Sequence, residues 1–222
     1  MCETVLVIAA HSDDEALGCS GTMAKHVAAG DQVHVLFMAD GVGSRKSVAN
    51  EASERLSSAE KAAKILGVIW MQNLNFPDNK MDTVALLDVA QAVENKIDEI
   101  QPNIIYTHHL GDLNVDHQIT HKAVMTACRP QPGFCVKEIY AFEVLSSTEW
   151  QTPGLMPFIP NLFVDISGYI EIKREVLENY SVEMRESPHS RSIANIINLA
   201  RVRGSSIGVN YAEAFVLLRE LK

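Results

Sequence analysis

The sequence is poor in the features that mark secreted and membrane-spanning proteins. Its 222 residues include four cysteines (Cys2, Cys19, Cys128 and Cys135), whose spacing matches no paired metal-ligand motif. No apolar run approaches the roughly 20 residues that a transmembrane helix requires. The opening residues, 1–4, carry no basic stretch of the kind that begins a signal peptide. We therefore expect a cytoplasmic protein with free thiols and no integral membrane segment.

Positively charged residues are fewer than negatively charged ones. The chain has 19 Lys and Arg against 28 Asp and Glu, which gives a formal net charge of −9 at pH 7. Because nucleic-acid-binding proteins usually present a basic face, we expect no nucleic-acid partner. The sequence also lacks repeats, low-complexity tracts and linkers. With 47% hydrophobic residues, its length suits a single domain over residues 1–222.

Short apolar runs alternate with helical patterns along the chain. The predicted strands cover residues 4–10, 32–39, 68–74, 103–107, 136–145 and 161–166. The predicted helices cover residues 15–29, a segment from 50 or 53 to 66, 84–100, 116 to just before Pro130, 169–184 and 190–203, with Gly30 and Gly67 ending the first two. Segment 212–218 fits a strand or a helix, and we favour a strand. The alternation predicts an α/β fold: a Rossmann-like three-layer sandwich with a mostly parallel sheet and a strand order near 3-2-1-4-5.

Ionisable side chains are concentrated directly after the first predicted strand. His11, Asp13, Asp14 and Glu15 follow the apolar run at residues 5–10. Open α/β sheets place their sites at the carboxyl ends of such buried strands. A histidine crowded with carboxylates is costly there unless something positive holds them, and a divalent metal is the simplest candidate.

A second cluster follows the fourth predicted strand, in residues 107–121. In the order 3-2-1-4-5 the first and fourth strands are neighbours, so the two clusters meet at one edge of the sheet. A catalytic zinc site typically has three protein ligands and an open position, which His11, Asp14 and His117 could supply. His121, one helical turn beyond His117, is a competing ligand.

Several residues near these ligands have both a chemical and a structural interpretation. Asp13 is placed to act as general base on a metal-bound water, and Asp116 to orient a ligand or a catalytic group. Alternatively, Asp13 and Asp14 are helix N-caps, and the histidines are structural or exposed. A dinucleotide site fits less well, because the first strand–helix turn has only Gly18 and Gly21 of the glycine-rich fingerprint.

Two motifs resemble those of a known family. AHSDDE at residues 10–15 and NVDH at residues 114–117 resemble the signatures of the PIG-L / LmbE-like zinc-dependent N-acetylglucosamine deacetylases. Further similar pieces lie at residues 40–45, 66–67, 142–150, 188–192 and 211–215, so the resemblance runs through nearly the whole chain. It implies that His11, Asp14 and His117 bind zinc, that Asp13 is the general base and that Arg45 contacts the substrate.

This sequence departs from the family pattern at two positions. Ser12 replaces the usual proline, which removes no ligand. Asn114 stands where many members have a histidine that stabilises the oxyanion or protonates the leaving amine. His189 is the candidate to replace that histidine, although a surface position at a helix start would also explain it. Asn114 could itself donate a hydrogen bond to the oxyanion.

The resemblance also bears on the substrate pocket and on partners. Glu143, Glu149 and Trp150 are candidates to line a sugar pocket, with a core position as the alternative for Trp150 and a solvated loop position for Arg45. The implied reaction releases acetate from a small-molecule N-acetyl sugar, either free or linked to a nucleotide or lipid carrier. A homo-oligomer is compatible with the sequence. The alternatives are another metal-dependent amide or phosphoester hydrolase, or a non-catalytic sugar-binding relative.

Overall fold

A computed structural model describes residues 2–39 and 49–222 of the chain. In these residues the strands are β1 (Thr4–Ala9), β2 (Gln32–Ala39), β3 (Trp70–Phe76), β4 (Ile104–His108), β5 (Glu138–Phe142), β6 (Leu162–Asp165) and β7 (Ala212–Glu220). The α-helices are α1 (Asp14–Ala28), α2 (Ala49–Leu66), α3 (Leu86–Ile100), α4 (Val115–Ala127), α5 (Ile170–Asn179) and α6 (Ile193–Ser205). Short 3₁₀ helices cover Met81–Thr83 and Thr148–Trp150.

The strands form one mixed sheet in the order β3-β2-β1-β4-β5-β7-β6. The predicted order 3-2-1-4-5 is confirmed, and β1 pairs in parallel with both β2 and β4. Leu6 of β1, for example, lies between His34 and Ile105. At the far edge β7 runs antiparallel between β5 and β6. The carboxyl ends of β1 and β4 therefore meet at the same edge of the sheet, as predicted.

Two apolar cores on opposite faces of the sheet give the fold its three layers. Alternate side chains of a strand point to opposite faces. Val5 and Val7 of β1 therefore belong to the core beneath α1, α2, α5 and α6, whereas Leu6 and Ile8 belong to the core beneath α3 and α4. Because β1 is buried on both faces, its sequence is continuously apolar rather than alternating.

Most boundaries differ from the predicted ones by one or two residues, and three differ by more, among them the start of α6, which is Ile193 rather than residue 190. The predicted strand 136–145 shrinks to Glu138–Phe142, because the chain then turns: Thr148 Oγ1 accepts a hydrogen bond from the Val144 main-chain nitrogen at 2.8 Å. The predicted helix 169–184 ends at Asn179, because the residues that follow form turns while they continue its apolar spacing. Segment 212–218 is confirmed as a strand and extends to Glu220.

Two expectations about the class of protein can be compared with this fold. Among the described residues, no helix has the length and apolar character needed to cross a bilayer. The four cysteines are not joined by disulfides, as expected of free thiols.

Candidate metal centre

The candidate centre lies at the carboxyl ends of β1 and β4, where two helices begin. After β1 the chain turns through His11–Asp13 into α1, which starts at Asp14. After β4 it turns into α4, whose N-cap is Asn114: its side-chain oxygen accepts a hydrogen bond from the Asp116 main-chain nitrogen at 2.8 Å. The two turns are joined directly, because the Ala10 main-chain N–H donates to His108 Nε2 at 2.8 Å.

Two buried histidine side chains converge on one oxygen of the buried Asp14 carboxylate. Asp14 Oδ2 lies 3.3 Å from His11 Nδ1 and 3.3 Å from His117 Nε2. One potential ligand atom from each of the three residues lies within 4.8 Å of the others. Two imidazole nitrogens and one carboxylate oxygen form a donor set suited to a catalytic zinc site.

The far nitrogen of His11 faces two further carboxylates. His11 Nε2 lies 3.1 Å from Asp116 Oδ2 and 3.2 Å from Asp78 Oδ1. Asp116 is itself fixed, since it accepts main-chain hydrogen bonds from Asn79 at 2.6 Å and Met81 at 3.0 Å. A carboxylate behind a histidine holds the ring and its tautomer, so that the other nitrogen faces a metal.

His117 has the same arrangement with a different carboxylate. Its Nδ1 lies 3.1 Å from Asp112 Oδ1, and Asp112 also accepts hydrogen bonds from the Ser147 hydroxyl and, at 2.7 Å, from the Thr148 hydroxyl. Burial alone would raise the pKa of Asp112, but the His117 imidazole and the hydrogen bond from Ser147 lower that pKa to about 2. Ionisation of Asp112 at neutral pH is therefore favoured.

The electrostatics of the cluster favour a cation at its centre. Burial lowers the pKa of His117, yet Asp14 and Asp112 outweigh it and raise that pKa to about 9. His11 behaves alike: despite its burial, Asp116, Asp14 and Asp78 raise its pKa well above the ordinary value. A divalent metal between these donors supplies the positive charge that protons otherwise supply, so the residues fit a metal.

Two other histidines lie close by. His108 Nε2 lies 3.5 Å from Asp14 Oδ2, and His108 forms a second possible metal-binding group with Asp112 and His117. His108 Nε2 accepts from Ala10, and burial lowers the pKa of His108 well below its ordinary value, so this ring is neutral and packs against His117 with centroids 3.9 Å apart. His121 Nδ1 donates to the main-chain carbonyl of His108 at 2.7 Å. Among the described residues, His121 belongs to no group of three metal-ligating side chains, which favours His117 in the competition between them.

Asp13 is buried directly beside the cluster in a strained conformation. Its φ is +134°, a value that non-glycine residues rarely adopt and that is most often found at functional sites. Asp13 Oδ2 accepts a hydrogen bond from Arg191 Nη1 at 2.8 Å. Its main-chain N–H donates to Glu15, whose pKa burial raises to about 7. Tyr180 in turn donates to Glu15 at 2.6 Å, which ties this turn to the end of α5.

The structure brings His189 to the same side of the sheet through the loop before α6. His189 Nδ1 accepts a hydrogen bond from the main-chain nitrogen of Arg191 at 3.0 Å, and Arg191 reaches Asp13. The edge of Trp150 packs on the His189 ring, with centroids 5.5 Å apart. Trp150 is 51% exposed, so its surface position excludes the alternative that it is a core residue.

The remaining predicted residues are engaged differently. Asn114 uses its side-chain oxygen as the α4 cap, and its Nδ2 donates to Asn79 at 3.2 Å. Both carboxylate oxygens of Glu143 accept from Arg203 of α6, at 2.8 Å each. Glu149 is exposed and accepts from the Ser146 main-chain nitrogen at 2.7 Å. Arg45 lies outside the described residues.

Three residues of this site were missed from the sequence. Asp112 is of a residue type that is common in turns and is not singled out by the sequence, although its position five residues before His117 is a usable signal. Asp78 follows β3 and gave no signal, since only the folded chain brings it to His11. Arg191 lies in the motif at residues 188–192 without an assigned role.

More than half of the chain, beginning near its N-terminus, matches a family model. Residues 6–128 match the family described as "PIG-L: GlcNAc-PI de-N-acetylase", a segment that contains both clusters. The chain is 28% identical over 182 residues to the uncharacterized deacetylase YaiS of Escherichia coli K12, covering 79% of this chain and 89% of that protein. It is 27% identical over 229 residues to the diacetylchitobiose deacetylase of Thermococcus kodakarensis, covering 94% of this chain and 80% of that protein.

Solved structures with similar folds include proteins of more than one activity. The N,N'-diacetylchitobiose deacetylase from Pyrococcus horikoshii superimposes with a TM-score of 0.80 at 21% identity, covering 98% of this chain and 84% of that chain. The 4-carboxy-2-hydroxymuconate hydratase GalB from Pseudomonas putida KT2440 superimposes with a TM-score of 0.78 at 21% identity, covering 99% and 98%. At these identities the likeness establishes the fold alone.

Proposed function

Because the chain belongs to the PIG-L (GlcNAc-PI de-N-acetylase) family of deacetylases, we propose that it is a zinc-dependent hydrolase of N-acetylated amino sugars or their conjugates. The products are acetate and a free amine. The observation that carries the proposal is the convergence of His11 and His117 on Asp14, with Asp13 buried beside them. The T. kodakarensis relative, a diacetylchitobiose deacetylase, supports an N-acetyl sugar as the substrate class.

His11, Asp14 and His117 would hold the metal. When bound there, zinc supplies Lewis-acid polarisation of the acetamide carbonyl and lowers the pKa of a coordinated water. Asp116 accepts a hydrogen bond from the outer nitrogen of His11, and Asp112 lies 3.1 Å from the outer nitrogen of His117, so the two carboxylates keep the imidazoles in place.

Protein side chains transfer the protons in the proposed reaction. Asp13 takes a proton from the attacking water, and a proton then goes to the departing amine from His189 or from the newly protonated Asp13. Asn114 Nδ2 carries two N–H groups, of which one donates to Asn79, so the other could donate to the oxyanion. An amide cannot deliver a proton to the departing amine, whereas an imidazole can, so we assign that role to His189.

The substrate contacts remain predictions. The exposed indole of Trp150 beside His189 offers an apolar surface to a sugar ring. Arg45 is proposed to contact a hydroxyl or phosphate of the substrate, and Glu143 to line the pocket while paired with Arg203. Incubation with a panel of N-acetylated compounds identifies the sugar and its nucleotide or lipid carrier.

The test is acetate release coupled to metal analysis. Protein stripped of metal, and the same protein reloaded with zinc, are incubated with N-acetylglucosamine, diacetylchitobiose, UDP-N-acetylglucosamine and a GlcNAc-phosphoinositide. We expect acetate from at least one compound, only after reloading. A fully zinc-loaded protein that releases no acetate from any N-acetyl sugar would overturn the proposal.

The similarity to GalB supplies a second candidate, because the same fold carries a hydratase. A hydratase adds water to a carbon–carbon double bond and releases no acetate. Loss of the enol absorbance of 4-carboxy-2-hydroxymuconate without acetate release from the sugars would favour that class. The family match favours the deacetylase.

A further inference from the structure

Arg191 contacts both residues to which the proposed reaction assigns proton transfer. Its guanidinium Nη1 donates to Asp13 Oδ2 at 2.8 Å, and its main-chain N–H donates to His189 Nδ1 at 3.0 Å. We propose that Arg191 is a positioning residue that orients the Asp13 carboxylate through its side chain and the His189 imidazole through its main chain. This inference rests on the proposed function.

The contact with Asp13 is a partly buried ion pair rather than an exposed one. The side chain of Asp13 is 3% exposed and that of Arg191 is 20% exposed. Removing one partner of a buried pair leaves a charge without compensation, whereas exposed pairs contribute little. The planar guanidinium also fixes direction, because its N–H groups point along set lines. Arg191 can therefore hold the Asp13 carboxylate in one orientation.

The guanidinium is anchored at a second point. Arg191 Nε donates to Ser146 Oγ at 2.8 Å, in the loop that follows β5. The link between Ser146 and Asp13 thus spans the turn after β1 and the loop after β5, and both turns contain a residue with positive φ, Asp13 at +134° and Ser146 at +70°. A small displacement of either turn would change the direction of the base.

The main-chain contact determines which nitrogen of His189 carries the proton. Since Nδ1 accepts from the Arg191 N–H, a neutral His189 carries its proton on Nε2. The loop holds this geometry without the Arg191 side chain: the His189 carbonyl accepts from Ser192 N at 3.0 Å and from Asn195 Nδ2 at 2.9 Å. Truncation of Arg191 should therefore disturb Asp13 and leave His189 in place.

The test is a double-mutant cycle on the zinc-loaded enzyme. We expect Arg191→Ala to keep zinc and fold while kcat falls about 10- to 100-fold, the usual cost of losing a supporting partner, with KM close to wild type. Added guanidinium chloride should restore part of the rate. Arg185→Ala is the matched control. Arg185 is exposed in the same segment, and its recorded side-chain hydrogen bonds go to main-chain carbonyls.

The second arm combines both changes. If Arg191 acts through Asp13, Arg191→Ala should lower the rate of the Asp13→Asn enzyme little further, whereas additive losses would overturn the inference. Should Arg191→Ala not fold, Arg191→Lys completes the same cycle. Crystal structures of wild type and variant provide a readout independent of activity, and an Asp13 carboxylate that stays in place without Arg191 would also overturn it. A wild-type enzyme that releases no acetate contradicts the proposed function instead.

Discussion

Each histidine of the candidate centre faces Asp14 with one ring nitrogen and a second carboxylate with the other. This arrangement distinguishes His117 from His121, which lies one turn further along the same helix. We expect His117→Ala to reduce zinc from about one per chain to a small fraction, because three protein ligands become two. Zinc is measured by mass spectrometry of the dialysed protein.

His121→Ala is the matched control for that change. His121 donates to the carbonyl of His108 and faces no carboxylate among its described contacts, so zinc content should stay near that of wild type. The opposite pattern, with zinc kept in His117→Ala and lost in His121→Ala, would show that His121 rather than His117 is the ligand.

We predict that the reaction needs the proton-accepting carboxylate of Asp13 rather than only its size. Asp13→Asn keeps the size of the side chain but cannot accept a proton, so we expect zinc to be retained and the rate to fall on the order of 10²–10⁴-fold. Asp31→Asn makes the same chemical change in the turn before β2, where Asp31 pairs with His26, and should leave turnover unchanged. Near-normal turnover in Asp13→Asn would move the base to another residue.

His189 is expected to donate to the oxyanion or to the leaving amine. His189→Ala should keep zinc and fold and lose at least about 10²-fold in kcat, as removal of one oxyanion-stabilising group can do. Adding Asn114→His to that variant should restore part of the rate, because it returns a histidine to the position that many family members use. Wild-type kcat in His189→Ala at every pH tested would exclude His189 from the reaction.

At the scale of secondary-structure elements, helix starts carry the site. α1 begins at Asp14 and α4 begins beside Asn114, so a change in either helix position moves a ligand. α1 is also pressed closely against β5. A Cβ added at Gly18 would clash with the ring of Phe142, a side chain with no exposed surface.

This close approach predicts that Gly18→Ala destabilises the protein. Phe142 has no room to move, and overpacking of this kind typically costs about 1–3 kcal/mol. Gly168→Ala is the control, since a Cβ there meets no atom within 4 Å and the glycine lacks a positive φ. The free energies of unfolding are compared by urea titration. Equal stability of the two variants would contradict the predicted packing of α1 on β5.

At the scale of the whole molecule, the metal should stabilise the fold as well as the reaction. The centre joins the turns after β1 and β4 with residues from the loop after β3 (His11 to Asp78). Stripping the metal with a chelator should lower Tm, and adding zinc should restore it. A ligand at 100 times its Kd stabilises the native state by about 2.7 kcal/mol. Magnesium is the control, because it disfavours histidine ligands.

The same experiment on His117→Ala checks the cause of the shift. This variant should show little change in Tm with zinc or chelator. If metal-free and zinc-loaded wild type unfold at the same temperature, the metal binds without linking these turns.

The local pattern of the sequence was sufficient for the α/β fold, the central strand order and the two clusters that meet across it. The apolar run of β1 requires burial on both faces, and parallel neighbours bring the ends of β1 and β4 together. Helix and strand ends were less well predicted. Beyond β5 and α5 the apolar spacing continues into turns, because turn residues also pack on the core.

The partners of the ligands could be assigned only from the tertiary structure. His11 meets Asp78 through the loop after β3, and Asp13 meets Arg191 from 178 residues away. No local sequence pattern predicts either contact, because each depends on the path of a loop over the edge of the sheet. The sequence by itself determined which residues could bind a metal. The folded chain decided which nitrogen faces Asp14, which carboxylate holds each ring and which cation holds the base, because hydrogen-bond geometry exists only once distant loops are packed together.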